Sequence, residues 1–397
     1  MHNMLQEQIK KLANEIHPVV VSNRRHLHAH PELSFKEYNT SDFIKKQLNE
    51  IGLSWTAMAD TGIVALICGE IPSTRVVALR ADMDALAIIE ANDVDYASRN
   101  KGVMHACGHD VHTSSLLGAA RILQSLKSGF GGTIKLIFQP AEEVLPGGAS
   151  LMIKEGVLEN PKPDVVIGQH VMPSLEVGKI GARKGKYMAS MDELYVTIDG
   201  KGGHGAQPHQ NIDPVVIASQ IIIALQQVVS RMANPHIPTV LSFGKLIAKG
   251  THNVIPDQVY MEGTFRTLDE EWRAQAHEKI KKMAEAIAAS MGGSCEFRIV
   301  KGYPVLINEE RLTQEVYTYA RHYLGKENVV DLDVWMAAED FAYYSQLADS
   351  CFYMLGTGNR QKGITSSVHT PTFDIDEEAL KVSTGLMAYI ALRHLGN

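Results

Sequence analysis

Thr133-Ile-Lys-Leu-Ile-Phe138, running straight into Gln139-Pro-Ala-Glu-Glu143, decides how the fold is read. A short, β-rich apolar run ends at a proline turn that delivers two adjacent carboxylates. The same design recurs in Gly62-Ile-Val-Ala-Leu-Ile-Cys68, Arg75-Val-Val-Ala-Leu79 and Asp164-Val-Val-Ile167, with helical stretches at Ser114 to Leu126 and Ala149 to Glu155 between them. Residues 4 to 17 and 36 to 51 also show apolar positions at helical spacing, the second stretch stopping at Gly52. Brief apolar strands alternating with helices predict an α/β sheet covered by helices. Polar residues follow the runs: Asp82 and Asp84 the second, Glu142 and Glu143 the third, His170 the fourth. The carboxyl ends of such strands are where open α/β sheets bind ligands.

The pattern changes near residue 187. Asp192-Glu-Leu-Tyr-Val-Thr-Ile198 alternates as a strand, Asp213 to Met232 reads as a long helix, and Pro238 to Leu246 and Gln258 to Thr267 read as strands. Glu270 to Met291 is a second helix and Cys295 to Val300 a last strand. This β-α-β-β-α-β order is that of a split βαβ sandwich. The expected organisation is therefore a discontinuous catalytic domain, 1–186 and 301–397, with residues 187–300 inserted as a separate domain.

His105-Ala-Cys107-Gly-His109-Asp110-Val-His112 packs three imidazoles, a thiol and a carboxylate into eight residues. A thiolate beside neutral imidazoles suits a borderline-soft cation. Cys68, Cys295 and Cys351 stand alone, so no second half of a structural zinc site exists, and a catalytic site with open coordination positions is the better reading. In Glu142-Glu143, one carboxylate can ligate an ion while the other takes a proton from activated water, the division of labour of metal-assisted hydrolysis. His170 and His369, added to Cys107, His109 and Glu143, make five ligands of the right types for two ions held ~3.5–4 Å apart.

Composition narrows the partners. A formal charge of -7 shows no basic excess, which argues against nucleic acid and an anionic membrane surface. The longest apolar stretch, Val215 to Leu225, is interrupted by Ser219 and Gln220, short of the ~20 residues of a membrane span. Four scattered cysteines and no apolar signal core point to free thiols in a reducing cytoplasm.

Eight motifs carry a resemblance. His28-Ala-His-Pro-Glu-Leu-Ser34, Arg80-Ala-Asp-Met-Asp-Ala-Leu86, His105 to Asp110, Gln139 to Glu143, Gly203-His-Gly-Ala206, Asn253-Val-Ile-Pro256, Ala338-Glu-Asp-Phe341 and Val368-His-Thr-Pro371 span nearly the full chain. Together they resemble the two-metal aminoacylase and carboxypeptidase-G-type metallopeptidases, in the branch of hippurate hydrolase, auxin-conjugate hydrolase and N-acyl-L-amino acid amidohydrolase. The resemblance implies an α/β, zinc-peptidase-like catalytic domain, a mixed sheet flanked by helices, with an inserted α+β ferredoxin-like domain acting as lid and pairing with its twin in a homodimer. It implies that Cys107 bridges two metals, with His109 and His170 completing one site and Glu143 and His369 the other. Glu142 matches the general base and His204 the lid histidine that stabilises the oxyanion. Asn253 and Arg266 are placed to meet the substrate carboxylate, for which the arginine fork is apt. Asp82 stands where other branches carry a ligand and is excluded; Asp84 is expected to orient a ligand. His28, His30, His105 and His112 are expected to pack or support. Ala87 and Val111 replace the branch's usual Pro and Gly, neither at a ligand position.

The expected reaction is metal-dependent hydrolysis of N-acyl amino acids by a water that two divalent ions (manganese, zinc, nickel or cobalt) activate. The alternatives are a dipeptidase or other exopeptidase of the same family, and an inactive metal- or redox-binding homologue.

Overall fold

The computed structural model describes residues 2–396, and its contacts divide the chain into two compact units. The first comprises the chain up to Gly185, Ile307–Asp333 and the chain from Asp340; the second comprises Lys186–Leu306 and Val334–Glu339. The second unit thus takes in 301–306 and 334–339, beyond the 187–300 expected for the insertion. The reason is local packing: Val305 is buried with Ala189 and Leu268, and Val334 and Met336 close over them.

The first unit is built on an eight-stranded mixed sheet in the order Trp55–Met58, Gly62–Cys68, Gly131–Gln139, Ile71–Asp82, Val165–Glu176, Asp349–Gly358, Ile180–Ala182, Val329–Asp331. Its four central strands, from Gly131–Gln139 to Asp349–Gly358, are mutually parallel. Such strands are buried on both faces, which is why their sequences are continuous apolar runs rather than alternating ones. Helices His2–Ala29, His109–Ser125 and Glu378–His394 pack on one another, and the last two also on the sheet. Burying leucines such as Leu116, Leu117 and Leu123 between these layers contributes about 1.5–3 kcal/mol each.

The first helix outruns its expected end at residue 17, continuing through Pro18 to Ala29. Proline removes one helical hydrogen bond, but Ile9, Ala13, Val20 and Leu27 keep one buried stripe across it. Tertiary burial outweighs the local break.

The second unit is a four-stranded antiparallel sheet in the order Thr239–Ala248, Gln258–Thr267, Ser190–Asp199, Ser294–Lys301. Helices Pro214–Gln227 and Glu270–Ser290 pack against it, giving the split βαβ order read from the sequence. Along Ser190–Asp199 every second residue is buried, so Leu194, Val196 and Ile198 enter the core. Asp213 caps the first helix, its Oδ1 accepting the Val215 and Val216 amides at 2.9 and 3.3 Å. Pro214–Met232 is long and apolar enough to cross a membrane, with a mean hydropathy of 1.5, yet Ile217, Ile221, Leu225 and Val228 lie in this unit's core.

Candidate metal centre

Five segments of the first unit converge. The strand Ile71–Asp82 ends on Asp82 and leads to Asp84. The strand Gly131–Gln139 leads to Glu142 and Glu143. His170 lies inside the strand Val165–Glu176 rather than after it, because that strand runs well beyond the apolar Val165–Ile167 core and pairs His170 with Met354. The helix His109–Ser125 begins directly after Cys107 and Gly108. The loop bearing His369 is tied to the centre by its own amide, which donates to the Ala106 carbonyl at 2.7 Å.

Gly108 is required where it stands. Its φ of 81° lies in the left-handed region, and a Cβ there would come within 2.5 Å of Val171 Cγ2. The turn it permits brings the candidate ligand atoms of Cys107 and His109 within 4.8 Å of each other.

Cys107 is the hub. Its Sγ lies 3.2 Å from His170 Nε2 and 3.2 Å from His369 Nε2, and His369 Nε2 is 3.3 Å from Glu143 Oε1. Among the described residues five trios keep their candidate ligand atoms within 4.8 Å of one another: Cys107, His109 and His170; Cys107, Glu143 and His369; His109, Glu142 and Glu143; Asp82, His109 and His112; and Glu142, Glu339 and Asp340. Cys107, His109 and His170 are buried, and His369 is half exposed.

The surroundings orient these groups. His109 Nδ1 donates to the Asp84 carbonyl at 2.9 Å and to Asp84 Oδ1 at 3.0 Å. That leaves the buried Nε2 without a hydrogen-bond partner, with Asp82 Oδ2 no nearer than 3.7 Å. His170 Nδ1 donates to the Val171 carbonyl at 2.7 Å, turning Nε2 toward Cys107. Asp84 Oδ2 also accepts the Glu143 amide at 3.0 Å and the Ser34 hydroxyl at 2.6 Å. One carboxylate thus aligns two candidate ligands. His112 is used up on both sides, donating from Nδ1 to Asp82 Oδ1 and accepting the Val171 amide at Nε2. Asp110 accepts from Arg24 Nε and His28 Nδ1, both at 2.8 Å, and so fixes the start of the helix.

The electrostatics favour cations. Burial disfavours charge on His109, yet Asp82, Asp84 and Glu143 together raise its pKa to about 10. Burial, then Glu143, Glu142 and Asp82, push the Cys107 thiol well above its usual range. His170 is held down to about 3 by burial and by His112, which favours the neutral ring that ligates metals. A divalent ion reverses this logic, deprotonating the thiol and balancing the carboxylates. The orphaned His109 Nε2, a cost of about 1–3 kcal/mol if left unpaired, is the atom such an ion would take. The residues present fit divalent cations.

Reasoning from the chain missed Glu37, one half of the clamp behind the Glu142-Glu143 turn. Glu37 Oε1 accepts the Ala141 amide at 2.8 Å, and Asp340 accepts from Gln139 Nε2, Arg80 Nη2 and the Ala149 amide. The Asp340 amide in turn donates to Glu142 Oε1 at 3.4 Å. In the second unit, His204 and Val254 pair across a short two-stranded ladder, and the Gly205 amide donates to the Asn253 carbonyl at 2.8 Å, so His204 and Asn253 are neighbours and both exposed. His204 Nδ1 accepts the Ala206 amide at 3.1 Å. Arg266 stands near the end of the strand Gln258–Thr267, its Nη1 donating to the Met336 carbonyl at 3.2 Å.

An α/β unit that gathers a cysteine, three histidines and paired glutamates at its parallel strands defines a metal-dependent hydrolase of the dinuclear class. Residues 78–393 match the Peptidase family M20/M25/M40, and the chain belongs to that family. It is 46% identical over 306 residues to the N-acyl-L-amino acid amidohydrolase of Geobacillus stearothermophilus, covering 77% of this chain and 82% of that one. It is 42% identical over 381 residues to the N-acetyl-L-cysteine deacetylase of Bacillus subtilis, covering 94% and 89%. Among solved structures, a dinuclear metal-binding M20 peptidase from Bacillus subtilis superposes with a TM-score of 0.82 at 36% identity, covering 96% of this chain and 99% of that one.

Proposed function

We propose that this enzyme hydrolyses the amide bond of N-acyl amino acids, releasing a carboxylate and a free amino acid. The observation that carries the reading is that two ligand trios, Cys107 with His109 and His170, and Cys107 with Glu143 and His369, share only Cys107. In this reading Cys107, His109 and His170 would hold one divalent cation, and Cys107, Glu143 and His369 would hold the other. When bound, the ions supply Lewis acidity that polarises the amide carbonyl and makes water acidic. Glu142 takes the proton of the attacking water and passes it to the leaving nitrogen. Asp84 acts through its neighbours, keeping the His109 tautomer and the Glu143 turn in place.

The second unit acts as the lid in the same reading. His204 stabilises the developing oxyanion and Asn253 and Arg266 receive the substrate carboxylate, in a homodimer joined through this unit, in the cytoplasm. Manganese, zinc, nickel and cobalt are all compatible with the donor set. The test is a panel of N-acyl amino acids and unblocked dipeptides offered to metal-loaded protein. Turnover concentrated on the acylated substrates supports the assignment; turnover of the dipeptides alone replaces it with an exopeptidase.

A further inference from the structure

At the other end of the sheet, where the strands Ile71–Asp82 and Val165–Glu176 begin, a groove of about 370 Å³ is lined by Arg75, Arg311, Arg393 and His394, with Tyr319 and Glu315 at its sides. Seven residues of extended strand separate Arg75 from Asp82, or roughly 23 Å. This groove is therefore distinct from the metal centre.

Three guanidinium groups meet here, and none of them has a carboxylate partner among the described ion pairs. Two acids, Asp164 and Glu315, also line the groove, and each has a carboxylate oxygen engaged elsewhere. Asp164 Oδ2 accepts the Val76 amide at 2.8 Å, and Glu315 Oε2 lies 3.4 Å from His394 Nδ1. Two of the arginines are held in position without being neutralised. Arg75 Nη1 donates to the His394 carbonyl at 2.9 Å. Arg393 sits over the rings of Tyr319 and Tyr389, donates from Nη1 to the Tyr389 hydroxyl at 3.0 Å, and keeps a buried Nε with no hydrogen-bond partner. Burial, followed by Arg75, Arg311 and Arg393, holds the His394 imidazole down to about 4. The positive field of all three arginines therefore meets at that side chain. Like charges fixed together repel, and an anion is what relieves them.

We propose that this groove binds a small, multiply charged oxyanion of the phosphate class, as inorganic phosphate or as the phosphate of a monoester, held by the forks of Arg75, Arg311 and Arg393. Planar guanidinium forks match tetrahedral oxyanions through paired hydrogen bonds, which single ammonium groups cannot do. The groove's position makes its ligand an effector or a structural anion rather than the amide substrate.

The test is calorimetric titration of the full-length, metal-loaded protein with inorganic phosphate, with glycerol 3-phosphate and with succinate, at constant ionic strength. Saturable phosphate or monoester binding is expected, weakened about tenfold or more in Arg311→Ala and in Arg75→Gln. Amide hydrolysis measured without phosphate should be unchanged in both variants, which also reports that they fold. Phosphate binding of equal strength in wild type and both variants would place the anion at the metal centre and overturn the proposal. Absence of saturable binding, or preference for succinate over both phosphates, would overturn it as well.

Discussion

Glu37 holds Ala141: the carboxylate Oε1 accepts the Ala141 amide at 2.8 Å, one residue ahead of Glu142. Ala141 has a φ of 50°, in the left-handed region that a non-glycine residue occupies only when its surroundings demand it. The same oxygen accepts the Phe35 amide at 3.0 Å, and Oε2 accepts the Thr61 hydroxyl at 2.8 Å. Glu37 is a positioning residue that sets the backbone from which both glutamates project.

Glu37→Ala leaves a buried amide unsatisfied, at a cost of about 1–3 kcal/mol, and lets the turn relax. The expected outcome is a fall in kcat of at least about tenfold with two metal equivalents still bound, since a one-ångström misplacement of a catalytic group is costly. Glu37→Gln keeps the acceptor to Ala141 and should recover most of the rate. Equal damage from both substitutions would show that charge rather than positioning matters at residue 37.

Asp84→Asn removes the charged acceptor shared by His109 and the Glu143 amide. Metal affinity should fall by about 10–100-fold, as it does when the residue orienting a histidine ligand is lost. Competition with a chromophoric chelator reads this directly; unchanged affinity would mean that Asp84 aligns nothing that binds metal.

Asp192 tests the second unit through pH. Burial opposes ionisation of this carboxylate, but His277 Nε2 at 2.6 Å and Arg273 at 2.6 and 3.0 Å lower its pKa. A depressed carboxyl pKa stabilises the fold above the unfolded value, about 3.9, and that stabilisation is lost as pH falls through the folded value. Asp192→Asn should therefore destabilise by about 3 kcal/mol near neutrality, because the buried Arg273 loses one of its two carboxylate partners and keeps only Glu270. Thermal unfolding as a function of pH should show the gap between wild type and variant closing below pH ~4. A gap that is constant with pH would contradict the ionic role.

Much of this architecture is legible in the chain because it is local. The parallel strands are recognisable from apolar runs, and Cys107 with His109, and Glu142 with Glu143, are neighbours along the sequence. His170 is marked by its place after the fourth apolar run, whereas His369, far along the chain, is legible only once grouped with the other ligand types or read within Val368-His-Thr-Pro371. The Glu37 half of the clamp was not legible: Glu37 lies about a hundred positions before Ala141, in a segment that reads as an ordinary helix start, and only the fold buries it. Asp192 left a signal that passed unused. It shares the inward register of Leu194, Val196 and Ile198, and Arg273 and His277 follow one another at i and i+4 on the facing helix. The length of the first helix depended on burial across Pro18, which local propensity does not contain.

The central claim is that two cations gathered around Cys107 and one proton carrier, Glu142, perform amide hydrolysis. The most direct measurement is the rate on an N-acyl amino acid as metal is added back to chelated protein, for wild type and for Glu142→Gln. The account predicts that wild-type activity is abolished by chelation and rises until two equivalents are bound. It predicts that Glu142→Gln binds the same two equivalents yet turns over about 10²–10⁴-fold more slowly. Hydrolysis that survives chelation, or a Glu142→Gln variant as fast as wild type, would contradict it.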